Sequence, residues 1–146
     1  QLTVLERAPN LKKKEAFDIV DLALDSKSEA IRTACIKFLR RMNFPQALDY
    51  LVRIFNSTSQ SDIKDACLTS IALIGTDEAC EFLLDIIRSN KDNLGPNVRA
   101  LLQRNAQERM LSALQRNRRN EPDARLAKFL GQLISQIRTR RGTRGI

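Results

Sequence analysis

Apolar residues along the first two thirds of the chain recur with helical spacing, and the pattern itself repeats. In residues 31–42 they follow an i, i+3, i+4, i+7, i+8, i+11 order, which forms a single stripe along an α-helix. After a break at residues 43–45, a second stripe runs through residues 47–55. A joint of about three residues makes two helices antiparallel neighbours. The pattern therefore predicts pairs of amphipathic helices, an A helix followed by a B helix.

The helix pair recurs at a spacing of 32 residues. Residues 31–57 align without gaps with residues 63–89, so that Ile31 matches Ile63 and Leu51 matches Leu83. Another B helix aligns earlier in the chain and ends at Ser26, preceded by what resembles the last turns of an A helix. One pair cannot bury its own apolar stripe, so successive pairs are expected to stack.

The pattern loosens toward the C-terminus. We predict a long A helix from Val98 to about Leu114, a polar linker from Gln115 to Glu121 and a last B helix that ends at Ile137. The arginine-rich segment 138–146 is expected to be a disordered tail. The predicted domain spans residues 1–137, with helix pairs near residues 2–25, 28–57, 61–89 and 97–137.

Two aligned segments carry a resemblance to a known family. A-I-R-x-A-C at residues 30–35 and D-I-K-D-A-C at residues 62–67 occupy the same place in successive units. With a period of 31 to 35 residues, they are similar to HEAT repeats of the short bacterial kind, including those named after phycobilisome lyases. The resemblance implies an all-α fold, a right-handed α-α superhelix of about four helical hairpins with the first one truncated. It also implies a non-enzymatic scaffold for protein–protein interaction.

The residue inventory argues against the common kinds of catalytic site. The 146 residues include no histidine, which is the commonest general base and metal ligand. Glycine-rich phosphate loops and nucleophile motifs are also absent. Aspartate and glutamate are abundant, so a carboxylate acid–base pair is not excluded by inventory alone. We therefore predict that the chain is not an enzyme and that it holds no metal and no cofactor.

Three cysteines lie inside the apolar helical patterns. An odd number cannot all pair within the chain, and the spacing is unlike that of a secreted disulfide framework. A thiol pair for metal or redox chemistry is the functional alternative, but we interpret the cysteines as small core residues. A reducing, cytoplasmic location follows from this interpretation. No apolar run has the length of a membrane helix. The three are Cys35, Cys67 and Cys80.

Positive charge is concentrated in the last third of the chain. Residues 91–146 carry 13 Lys and Arg against 4 Asp and Glu, whereas residues 1–90 carry 12 against 13. Arginine suits bidentate recognition of phosphate or carboxylate. Nucleic acid, an anionic membrane surface, an acidic protein and a merely solubilising end are the open alternatives. The candidate anion-binding residues are Arg99, Arg104, Arg116, Arg118, Arg119, Arg125, Lys128, Arg138, Arg140 and Arg141.

Acidic residues recur at one position of the predicted B helices. Asp18, Asp49 and Glu81 are equivalent, whereas Lys128 stands at this position in the last unit. Acids in a first turn also complement the helix dipole, so binding and capping roles stay open. In HEAT-like folds the B helices line the concave face, and the resemblance therefore implies a groove that changes sign along its length. The candidate partner-binding residues are Asp18, Asp49, Tyr50, Arg53, Glu81 and Asp85.

Two functional hypotheses follow from these surfaces. The preferred one is a protein-interaction scaffold, cut from a longer repeat protein because the chain opens with Gln1 rather than Met. The alternative is a nucleic-acid-binding module that contacts the phosphate backbone through the arginine-rich last third. An enzyme is the least favoured reading.

Overall fold

The computed structural model describes residues 28–144, with side chains up to Arg140. Its seven α-helices are joined by short turns, and no strand occurs between Ser28 and Arg144. The predicted all-α class is confirmed. The helices are α1 (Glu29–Arg40), α2 (Leu48–Ser57), α3 (Ser61–Ile74), α4 (Asp77–Ser89), α5 (Gly95–Asn105), α6 (Leu111–Asn120) and α7 (Ala124–Arg144).

Side chains at the helix ends explain where several helices begin and stop. Ser28 and Thr76 accept hydrogen bonds from the amides of Ile31 and Ala79, which satisfies first-turn donors of α1 and α4. Asp123 does the same for α7. Asn90 ends α4 in the left-handed region at φ 48°, a conformation that asparagine tolerates better than most residues.

The chain divides between Ile74 and Gly75 into two compact units, which are described separately. In the first unit, α3 packs against both α1 and α2. The stripe positions Leu51, Ile63 and Ile71 are fully buried, while Ile31 at the start of α1 is only half-buried. The Ser70 hydroxyl is buried as well and donates to the carbonyl of Leu39, 2.7 Å away. Helical periodicity therefore identified the core of this unit correctly.

The second unit is built from α4 to α7. Helix α4 packs against α5 and α6, and α6 packs against α7. Leu83, Leu102, Leu114 and Leu130 are fully buried, one from each helix. Four helices thus share one core, where the sequence predicted a B helix followed by a single pair.

Three predictions for the C-terminal third are wrong. The long A helix stops at Asn105, and a 3-10 turn at Glu108–Met110 separates it from α6. The segment 115–121, predicted as a polar linker, is helical up to Asn120. The tail predicted to be disordered continues α7 as helix to Arg144. These polar segments are helical because one side of each helix buries apolar residues. Other residues of the segments bond to neighbouring helices.

Three hydrogen bonds from side chains to backbone carbonyls join residues 31 to 34 positions apart. Gln136 donates to the carbonyl of Gln103, 33 positions away, and Arg140 donates to that of Ala106, 34 positions away. The Ser70 bond spans 31 positions. Each of these bonds therefore joins residues about one repeat apart, as expected when successive repeats contact only their neighbours.

Two predicted features lie outside the described residues: the helix pair at 2–25, and the segment 145–146 at the chain end. Among residues 28–144, no helix combines the length and the apolarity needed to span a bilayer.

Candidate functional site

Opposite charges from the two predicted surfaces meet on α4 and α6. We call this group the α4–α6 polar cluster: Glu81, Arg88, Arg116, Asn117 and Glu121. Its residues, with Asn120 and Pro122, line an open cleft of about 380 Å³.

Glu81 is held by two donors from α6. Arg116 Nη2 lies 3.0 Å and Asn117 Nδ2 2.7 Å from Glu81 Oε1. Burial alone would raise the pKa of the Glu81 carboxyl, but these hydrogen bonds and the nearby arginines outweigh burial and lower it. Arg116 Nη1 also faces Asp77 Oδ2 at 3.9 Å. Glu81 and Arg116 therefore neutralise each other and do not offer two separate binding surfaces.

Arg88 holds the other half of the cluster together by donating to three side chains. Its Nε donates to Glu121 Oε1 at 3.0 Å, its Nη1 to Asp85 Oδ1 at 3.0 Å and its Nη2 to Asn117 Oδ1 at 2.6 Å. Glu121 has only 4% of its side chain exposed, whereas Asp85 has 72% exposed. The buried pair matters more to the fold than the exposed one, because solvent screens the exposed one.

Asn117 connects the two halves of the cluster. Besides accepting from Arg88, its amide donates to Glu81 and to the carbonyl of Ala113 at 2.7 Å. Sequence analysis did not identify Arg88, Asn117 or Glu121 as functional residues. The repeat spacing could have indicated these pairs in the sequence. Arg116 lies 35 positions after Glu81, and Glu121 lies 33 positions after Arg88, which is about one repeat in each case.

The predicted acidic surface is reduced by these contacts. Asp49 and Arg53 are exposed on α2, and Asp85 is exposed but paired with Arg88. Tyr50, predicted as a contact residue, is buried with 8% exposure and belongs to the core of the first unit. Asp18 lies outside the described residues.

The repeat-equivalent cations of the A helices each have a partner. Arg32 forms an ion pair with Asp62 at 3.0 Å. The Lys64 ammonium lies 4.7 Å from the ring centroid of Phe55, and the Arg99 guanidinium lies 5.2 Å from that of Phe129. Both distances fit cation–π contacts. Arg99 is half-buried.

The remaining predicted anion-binding residues are distributed over three helices. Arg118 reaches α7, where its guanidinium carbon lies 3.1 Å from the place that a Cβ on Gly131 would occupy. Arg140 is exposed and donates to a backbone carbonyl, and the side chain of Arg141 lies outside the described residues. Arg104 and Arg119 are exposed on α5 and α6. The exposed cations of α7 are Arg125, Lys128, Arg138 and Arg140.

The cysteines lie in the core. Cys35, Cys67 and Cys80 are free thiols with no measurable exposure. Burial raises the pKa of Cys35 to about 11 and that of each of the other two to about 12. Neutral, shielded thiols are poor nucleophiles and poor metal ligands. Their placement fits the interpretation as small core residues.

Comparison with models of known protein families gives a match. A family model described as HEAT repeats covers residues 18–95, just over half of the chain. No curated protein and no solved structure matches the sequence significantly.

Proposed function

Because the chain belongs to the HEAT-repeat family, whose repeats generally serve as protein-interaction scaffolds, we propose that it binds another protein and catalyses no reaction. Stacked helix pairs bury their apolar stripes against neighbours and leave polar flanks exposed. These flanks supply the contact surface.

The observation that carries this proposal is the outward side of α2. Asp49, Val52, Arg53 and Asn56 follow one another at i, i+3, i+4 and i+7, so they lie on one side of the helix. The other side buries Leu51, Ile54 and Phe55. The outward stripe combines both charges with a half-buried valine, a mixture that suits a protein interface.

This proposal restricts the protein-binding surface to fewer residues than the sequence predicted. Glu81 is committed to Arg116 and Asn117, and Asp85 to Arg88. A partner that bound Glu81 or Asp85 would have to break an ion pair with Arg116 or Arg88. Glu81 is half-buried, whereas Asp49 and Arg53 are exposed on one side of α2, and we take these two residues as the expected anchors.

A charge swap tests the contact. Asp49→Arg combined with Arg53→Glu leaves the net charge unchanged and reverses the pattern on α2. The matched control is Asp65→Arg combined with Lys37→Glu, because both residues are exposed and lie elsewhere in the first unit. Each immobilised chain is exposed to extract of the source cells, and the captured proteins are quantified by mass spectrometry.

We expect one protein to be retained in near-stoichiometric amount by the wild type and by the control. The α2 swap should reduce its capture at least tenfold, since reversed charges repel where they attracted. Equal capture by both variants would exclude the α2 surface. Absence of any stoichiometric protein with the wild type would contradict the scaffold function itself.

A further inference from the structure

Helix α7 differs from the other described helices in length and in charge. Its 21 residues span about 31 Å at 1.5 Å per residue, twice the length of α5 or α6. Between Ala124 and Arg144 it contains no acidic residue, whereas it carries five arginines and one lysine. Its positive charge has no counterpart on the same helix.

Five of the eight acidic residues in the second unit already bond to groups other than the α7 side chains. In the second unit, Asp77, Glu81, Asp85 and Glu121 form ion pairs with Arg88 or Arg116 in and around the α4–α6 polar cluster. Asp123 accepts from the amides of Arg125 and Leu126 at the start of α7. These five carboxylates therefore do not pair with the cationic side chains of α7.

Four exposed cations line the outer side of α7, and we call them the α7 basic face: Arg118, Arg125, Lys128 and Arg138. No hydrogen bond or ion pair engages their side chains in the described part of the chain. Arg118 comes from α6 and lies at the level of Gly131, whose missing side chain makes room for the guanidinium. Taking Arg118 at that level, the four residues extend over about 20 Å along the helix axis, with axial rises of about 4.5, 4.5 and 10 Å between them.

We propose that the α7 basic face binds the phosphate backbone of nucleic acid. The uneven spacing favours a nucleic acid over an acidic peptide. A duplex carries one negative charge per about 1.7 Å of axis, so about a dozen phosphates of the two strands lie along 20 Å of it, and some of them face the protein at any register. A peptide would have to place its carboxylates to match the irregular steps.

Binding at this face is independent of base sequence. Phe129 is the one aromatic residue of α5 to α7, and it is buried with 5% exposure beneath Arg99. The face therefore lacks a ring on which a base can stack. Arginine and lysine contacts to phosphates fix position without reading sequence. This activity is separate from protein binding at α2, and either can fail without the other.

Fluorescence anisotropy of the full chain with a labelled 20-mer oligo(dT) and a labelled 20-bp DNA duplex tests the proposal. About four phosphate contacts give log–log salt slopes near −3.6 for the duplex and −2.8 for the single strand. Duplex affinity should therefore fall about 150-fold, and single-strand affinity about 50-fold, between 50 and 200 mM NaCl. Two duplexes of unrelated sequence should bind within twofold of each other.

Variant Arg125→Glu/Lys128→Glu should weaken binding at 50 mM NaCl at least tenfold and halve the salt slope. The matched control Lys37→Glu/Arg40→Glu removes the same charge from exposed positions on α1 and should bind within twofold of wild type. Circular dichroism must show equal helicity for all three chains.

Three results would overturn the proposal. The first is no binding of either DNA at 50 mM NaCl. The second is an equal loss in both variants, which would mean that net charge and not the α7 basic face holds the DNA. The third is displacement of oligo(dT) by poly-glutamate at lower concentration than by unlabelled oligo(dT), which would assign the face to an acidic protein.

Discussion

Replacing Arg88 by methionine tests whether the α4–α6 polar cluster stabilises the fold through its buried half. Arg88 contacts two carboxylates at the same 3.0 Å, but Glu121 has 4% of its side chain exposed and Asp85 has 72%. Arg88→Met would leave Glu121 buried without its cation. Losing one partner of a fully buried pair costs about 3–5 kcal/mol. Because one third of the Arg88 side chain is exposed, we expect a smaller loss of about 2–3 kcal/mol.

The assay is urea unfolding at pH 7, followed by circular dichroism. Asp85→Asn is the matched control, since it removes the exposed partner of the same arginine and should cost less than about 0.5 kcal/mol. In a double-mutant cycle, Arg88→Met and Glu121→Gln should couple by at least about 1 kcal/mol. If Arg88→Met costs no more than Asp85→Asn, or if the cycle shows no coupling, the reasoning from burial is refuted.

Three further predictions concern the core and the titrating groups. Leu83→Ala should lower the free energy of unfolding by about 2.7–5 kcal/mol, because Leu83 is fully buried; a urea midpoint within error of wild type would contradict this. The lowered pKa of Glu81 stabilises the fold above its unfolded pKa of about 4.3, and this stabilisation should be lost as pH falls through the folded value. A Glu81→Gln chain should therefore show a flatter loss of stability between pH 5 and pH 2 in urea titrations. Thiol labelling at pH 7.5 should be negligible in the native chain and complete in 6 M guanidinium, since fast native labelling would be incompatible with burial of Cys35, Cys67 and Cys80.

Periodicity predicted the parts of the fold in which burial decides the structure. Leu51 and Leu83 occupy matching stripe positions and are both fully buried. The same reasoning failed for α6, because Arg116, Arg118 and Arg119 made its second half read as a solvated linker. That half is helical because Ala113 and Leu114 enter the core while Arg116 and Asn117 bond to α4. Contacts with neighbouring helices therefore determine that this segment is helical, which its local composition does not indicate.

The candidate site was predicted less well than the core. Among the candidate charges whose side chains the structure describes, all are exposed or half-buried, but Glu81 and Arg116 were assigned to different surfaces. Their contact joins residues 35 positions apart, which single-helix spacing does not reveal. The burial of Tyr50 was missed although its repeat equivalents, Ile19, Phe82 and Phe129, are all apolar and Phe129 is buried as well.

Bonds that span a single repeat have a consequence for how such a chain can change over evolutionary time. Six side-chain hydrogen bonds within the second unit join residues 29 to 36 positions apart. A duplication or loss of one whole repeat therefore disturbs only the two junctions that it creates, and more distant bonds keep their partners. An acid on one helix and a base one period later is enough to cross-link adjacent repeats, so new pairs can arise by one substitution at a time.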